Sequence, residues 1–128
     1  MALRDQIRIM VVDDMSTSRG IITQTLDSFG ISHISTAEDG ENALQILARA
    51  PVHLVISDYN MPNMDGLKLL HSLRSGPKTK SIGFILITGR AEQEIIDYGR
   101  KLGMNNYLKK PFAAQDLRKC IESVVGPL

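Results

Sequence analysis

Ile7-Arg8-Ile9-Met10-Val11-Val12-Asp13-Asp14 is the stretch from which the rest of the chain can be read. A short, nearly unbroken apolar run that stops in two acids has the character of a strand buried on both faces. Strands of that kind belong to parallel sheets covered by helices. Val55-Ile56-Ser57-Asp58, Ile85-Leu86-Ile87-Thr88 and Tyr107-Leu108-Lys109-Lys110 repeat the pattern, each running apolar residues into a reactive polar group. In an open α/β sheet the carboxyl ends of the strands share one edge, and ligands bind in the crevice there. If the four segments are parallel neighbours, three carboxylates, a hydroxyl and an ammonium converge at one place. Carboxylates side by side repel one another and call for a cation.

Working outward, strand-like segments recur at intervals of roughly 20 to 25 residues, as βαβ units require. They cover 7–12, 34–37, 54–56, 84–87 and 107–108. Between them apolar residues fall at helical spacing. The sets are Ile21, Ile22, Thr25, Leu26 and Phe29; then Ala43, Leu44 and Leu47; then Leu67, Leu70 and Leu73; and last Leu117, Ile121, Val124 and Val125. Separations of three, four and seven place each set on one helix face. The alternation predicts an α/β fold, a doubly wound (βα)5 unit around a five-stranded parallel sheet with right-handed crossovers. The second and fifth strands are short and mixed, which places them at the edges. Five strands and five helices take up residues 1–128 as a single domain, with boundaries marked by Phe29-Gly30, Asp39-Gly40, Ala50-Pro51, Ser75-Gly76-Pro77, Leu102-Gly103 and Val125-Gly126-Pro127.

A chain of 128 residues can bury a core without staples, and 43% apolar with 23% charged residues is ordinary for a soluble globule. The net charge of +1 gives no general reason to expect nucleic-acid or membrane binding. One cysteine, Cys120, excludes an internal disulfide framework and suits a reducing compartment. No charged-then-apolar leader opens the chain and no apolar stretch approaches the roughly 18 residues of a membrane span, so the expected compartment is the cytoplasm.

Each polar strand end has a plain reading beside the chemical one. Asp13 and Asp14 precede a helix expected to start near Ser16, where acids are favoured as N-caps; Asp58 could be a surface carboxylate. Their coincidence at one edge favours a metal. Magnesium is hard and small, takes oxygen ligands, and is commonly held by one or two carboxylates plus phosphate. Asn60, two residues past Asp58, could add its backbone carbonyl. Calcium would need more oxygens than these loops offer. Zinc is disfavoured because His33, His53 and His71 lie on different elements. Lys110 precedes Pro111, which biases it to extended backbone and allows a cis bond; beside acids it can bind a phosphoryl oxygen. Thr88 could cap the fourth helix or donate its hydroxyl to that same group, and Gly89 leaves access open. Together these groups fit phosphoryl transfer to a carboxylate.

Val12-Asp13-Asp14, the run Asp58-Tyr59-Asn60-Met61-Pro62-Asn63-Met64-Asp65-Gly66, Thr88 and Lys110-Pro111-Phe112 resemble the response-regulator receiver domain, over essentially the whole chain and in the family's order. The resemblance implies the flavodoxin-like strand order 2-1-3-4-5 and, with no output domain, is greatest to the single-domain chemotaxis regulators. It makes Asp58 the acceptor of a phosphoryl group from a sensor histidine kinase, with self-phosphorylation and slow self-dephosphorylation but no conventional enzyme activity. Asp14 and Asp58 would ligate Mg²⁺ with the Asn60 carbonyl, and Asp13 through water; Lys110 and Thr88 would contact the phosphoryl group. Tyr107 takes the family's switch position, moving inward as Thr88 turns toward phosphate and remodelling the face of the fourth helix, fifth strand and last helix. Implied partners are the kinase, a flagellar motor switch protein and a phosphatase. A phosphate sink that drains a shared kinase is the alternative. A Mg²⁺-dependent phosphatase usually carries Asp-x-Asp on its first strand, and a flavin carrier's first loop would be repelled from phosphate by Asp13-Asp14. Arg90 stands where enteric-type members have an acid, and Tyr59 replaces a tryptophan. The methionines, among them Met10, Met15, Met61, Met64 and Met104, are read as gap-fillers, and Cys120 as a small apolar residue.

Overall fold

The structure, a computed structural model, describes residues 2–90 and 92–128. Strand β1 (Arg8–Val12) forms on the opening apolar run, and four of its five residues are buried. It is joined by β2 (His33–Ala37), β3 (Leu54–Asp58), β4 (Gly83–Thr88) and β5 (Asn106–Lys109). The sheet order is β2-β1-β3-β4-β5, and each neighbouring pair is parallel. All of β3 is buried, whereas no residue of β5 and only Ala37 of β2 are. The two mixed segments therefore sit at the edges, where one flank of the strand faces solvent.

Among the described residues six helices surround the sheet: α1 (Leu3–Gln6), α2 (Ser16–Ser28), α3 (Gly40–Arg49), α4 (Gly66–Ser75), α5 (Gln93–Lys101) and α6 (Ala114–Val125). Five were expected. The extra one, α1, is a single turn, too short to show a period in sequence, and it ends as the Ile7 amide donates to the Leu3 carbonyl at 2.9 Å. Gly30 and Gly103, just past α2 and α5, have φ of 86° and 98°. Glycine is favoured where a helix ends in the left-handed region.

Alternation along the strands divides the core in two. Ile9, Val11, Leu54, Ile56, Ile85 and Ile87 pack with Ile22, Leu26, Leu117 and Ile121 of α2 and α6. Met10, Val12, Val55, Phe84 and Leu86 pack with Leu47, Leu70, Leu73 and Ile96 of α3, α4 and α5. Most positions assigned to helix faces are buried or packed against this core. Ile21 is not: it is 56% exposed beside the buried Ile22, because adjacent helical residues point about 100° apart. Met10, Met61 and Met104 fill the interior as expected, but Met15 is 62% exposed in the loop before α2. Cys120 is buried, and burial pushes its thiol up to about 11, which suits an inert apolar residue.

The register sets the strand ends side by side. Val12 pairs with Ser57, Asp58 with Ile87, and Thr88 with Lys109. Polar residues at or just past these positions therefore lie along one edge, as parallel pairing predicted.

Candidate functional site

Asp13 leaves β1 fully buried, its amide donating to the Ala37 carbonyl of β2 at 3.1 Å. Its Oδ1 accepts from the Met15 amide at 3.0 Å, and its carbonyl accepts from Arg19 Nη1 at 2.6 Å. These bonds turn the chain sharply into α2. The N-cap of that helix is Met15, with no side-chain capping bond, so the plain reading of Asp13 and Asp14 as caps fails. Carboxylate oxygens of Asp13, Asp14 and Asp58 all lie within 4.8 Å of one another. Asp14 is exposed, while Asp58 is 8% exposed at the end of β3.

Charge balance in this cluster is poor. Burial raises the Asp58 carboxyl above its ordinary 3.8; Lys110 draws it down, and the neighbouring Asp13 adds to the rise. Asp13 Oδ2 is buried with no hydrogen-bond partner. A buried carboxylate oxygen without a hydrogen bond is costly. Among the described residues, the cation paired with these carboxylates is Lys110, whose Nζ is 3.2 Å from Asp58 Oδ1 and 3.7 Å from Asp13 Oδ2. One ammonium against three carboxylates leaves the edge with surplus negative charge. A small divalent cation with oxygen ligands matches that surplus and the orphaned Asp13 oxygen.

Lys110 is bonded through both its backbone and its side chain. Its amide donates to the Thr88 carbonyl at 2.9 Å, its peptide bond to Pro111 is cis, and its Nζ also donates to Ser18 Oγ at 3.2 Å. In the sequence Ser18 gives no more signal than a hydroxyl four residues after Asp14.

Thr88 ends β4 almost fully buried, and its Oγ1 accepts from the Arg90 amide at 2.9 Å. It does not cap the next helix, whose N-cap is Glu92. The Thr88 hydroxyl keeps its own proton to donate. A Cβ at Gly89 would meet nothing within 4 Å, so access there is open. The Arg90 side chain is exposed and pairs with Glu92 at 2.9 Å.

The segment after Asp58 is fastened at both ends. The Tyr59 amide donates to the Ile87 carbonyl at 3.0 Å, and the Gly66 amide returns to the Tyr59 carbonyl at 2.9 Å. A Cβ at Gly66 would lie 2.5 Å from the Asp58 carbonyl, so only glycine lets α4 start this close to the acid. Asn60 is exposed within this loop. Tyr107 is half-buried on β5 beside the α3–α5 side of the core, with the Arg100 guanidinium 5.8 Å from its ring centroid. The plain reading of Tyr107 as an edge-strand aromatic describes this position. Of the histidines, His53 accepts the Arg8 amide through Nδ1 at 2.9 Å, a structural bond away from the acid edge.

Residues 9–122 match the family described as the response regulator receiver domain. The Rhizobium etli protein named "Probable chemotaxis protein CheY" is 39% identical over 128 residues, spanning 100% of this chain and 99% of the relative. The Vibrio cholerae chemotaxis protein CheY-3 is 34% identical over 122 residues, 95% of this chain and 94% of the relative. Among solved structures, Vibrio cholerae chemotaxis protein CheY4 matches with a TM-score of 0.88 at 29% identity, covering 94% of this chain and 99% of that one.

Proposed function

The chain belongs to the response regulator receiver domain family, and from that premise we propose that it is a stand-alone cytoplasmic signalling switch phosphorylated on Asp58 by a sensor histidine kinase. The observation that carries the reading is the pairing of a buried Asp58 with Lys110 at 3.2 Å inside a surplus of carboxylates. A carboxylate short of solvent is a competent nucleophile, and the ammonium neutralises phosphoryl oxygens as they arrive.

In the proposed transfer an Asp58 oxygen attacks the phosphorus of a phosphohistidine. The N–P bond breaks as the O–P bond forms, and the imidazole departs and takes up a proton. Lys110 shifts from Asp58 Oδ1 to a phosphoryl oxygen, and Thr88 donates its free proton to another. Asp13, Asp14 and Asp58, with the Asn60 carbonyl, would hold Mg²⁺, which supplies positive charge against the phosphoryl oxygens. Thr88 and Tyr107 then report the new charge by population shift to the face of α5, β5 and α6. No helix among the described residues is long and apolar enough to cross a membrane, in keeping with a diffusible protein. The names of its relatives point to chemotaxis; the proposal adds a flagellar motor switch protein as the output partner and a phosphatase that ends the signal.

Acetyl phosphate or phosphoramidate with Mg²⁺ is expected to add one phosphoryl group to the wild type and none to Asp58→Asn, read by intact mass. Equal labelling of the two would overturn the acceptor assignment. Capture of a flagellar switch component by the phosphorylated form alone would support an output role. Rapid drain of a shared kinase without such capture would make the protein a phosphate sink.

A further inference from the structure

Of the six hydroxyl side chains on α2, four divide into two groups. Thr23, Thr25 and Ser28 each donate to a carbonyl of their own helix, at 3.0, 2.7 and 2.6 Å. Such bonds are local and carry no message beyond the helix. Ser18 instead accepts from Lys110 Nζ at 3.2 Å, 92 residues away in sequence. It lies in the first turn of α2, where side chains lean toward the helix N-terminus and hence toward the acid edge.

The ammonium thus has two hydrogen-bond acceptors, Ser18 Oγ and Asp58 Oδ1, both at 3.2 Å. A lysine ends in a point charge on a flexible four-carbon stem, and fixing its tip costs rotamer freedom. Asp58 cannot supply that restraint through the reaction, because its oxygen is the group that changes. Ser18 can, because it sits on a helix outside the reacting atoms. It borders, with Lys110, an open cleft of about 570 Å³ between α2 and Phe112.

We propose that Ser18 is a positioning residue that keeps the Lys110 ammonium aimed at the oxygens of Asp58. The proposal rests on the reading of Asp58 as the phosphoacceptor. Ser18 acts through Lys110 and touches neither donor nor phosphoryl group.

The test measures the rate of phosphorylation by phosphoramidate at saturating Mg²⁺ for wild type, Ser18→Ala, Ser18→Thr, Lys110→Ala and the double variant S18A/K110A. Ser18→Ala is expected to slow the reaction about 3- to 10-fold, in line with loss of one charge-assisted bond partly expressed at the transition state. Ser18→Thr keeps the hydroxyl and restores most of the rate. Ser18→Ala on the Lys110→Ala background changes nothing. A rate within twofold of wild type, or equal slowing with and without Lys110, overturns the proposal. NMR titration of the Lys110 ammonium in the unphosphorylated protein gives an independent measure. A curve unchanged by Ser18→Ala also overturns it, and a shifted one supports it. Failure of the wild type to label at all strikes the Asp58 reading instead, leaving the titration to decide the Ser18–Lys110 link.

Discussion

The two sides of the sheet are packed with different chemistry, and the site is divided between them. Against α2 and α6 the strands present Leu54 and five β-branched residues, Ile9, Val11, Ile56, Ile85 and Ile87, whose branching restricts χ1. Against α3, α4 and α5 they present Met10, Phe84 and Leu86 beside the two valines Val12 and Val55, with Met61 and Met104 in the same cluster. Methionine is unbranched and adapts its shape. Asp58 continues the alternation of Leu54 and Ile56 and so belongs to the isoleucine side, where Lys110 meets Ser18 of α2. Thr88 continues Phe84 and Leu86, and Tyr107, paired with Leu86, packs on the methionine side. The acceptor Asp58 and its lysine stand on the stiff side. Thr88, which would both donate to the phosphoryl group and pass on its arrival, stands with Tyr107 on the pliable one.

The largest test of this contrast is Ile56→Ala. It should destabilise the protein by about 2–5 kcal/mol in urea unfolding, because a rigid surround collapses little around a cavity. A cost well under 1 kcal/mol would show that the isoleucine side relaxes as easily as the other. Next comes function. Lys110→Ala should slow labelling of Asp58 by about 100-fold, the scale of one lost electrostatic contact at the transition state, while Tyr107→Ala should stay within about 3-fold. Comparable losses would mean that chemistry and readout are not separated.

A third test concerns the surplus charge. The folded protein binds the Asp58 proton more tightly than the unfolded chain, because burial disfavours the ionised form. That favourable contribution is complete below the ordinary value of 3.8 and is lost as pH rises through the raised folded value. At neutral pH the ionised Asp58 therefore burdens the fold. Without divalent cations, Asp58→Asn should melt a few degrees higher than wild type at pH 7, with the gap closing toward pH 3. Added Mg²⁺ should raise the wild type more than the variant. The smallest effect is Met10→Leu, a near volume-conserving change on the pliable side, expected to cost less than about 1.5 kcal/mol.

Asp13, Asp14, Asp58 and Lys110 were legible as a cluster because parallel pairing brings strand ends together whatever the details of the loops. Thr88 as a helix cap was misread: a threonine before a helix is an ordinary cap in sequence, but α5 begins five residues later, at Gln93, and Arg90's amide takes the hydroxyl. Ser18 was invisible for the same kind of reason. A serine in a first helical turn is unremarkable until Lys110, from the far end of the chain, is placed against it. Met15 and Ile21 looked like core residues because composition does not say which way a loop or a helix is turned.

The sequence by itself determined the βα alternation, the edge positions of the two mixed strands and the meeting of three acids with a lysine. All of these follow from local periodicity and from the rule that parallel strands share one carboxyl edge. Only the tertiary structure decided which acid oxygen is left orphaned, which hydroxyl holds Lys110, and which side of the sheet carries each half of the site. Those outcomes depend on distances between residues far apart in the chain, and hydrogen bonds and charges act over a few ångströms of space rather than of sequence.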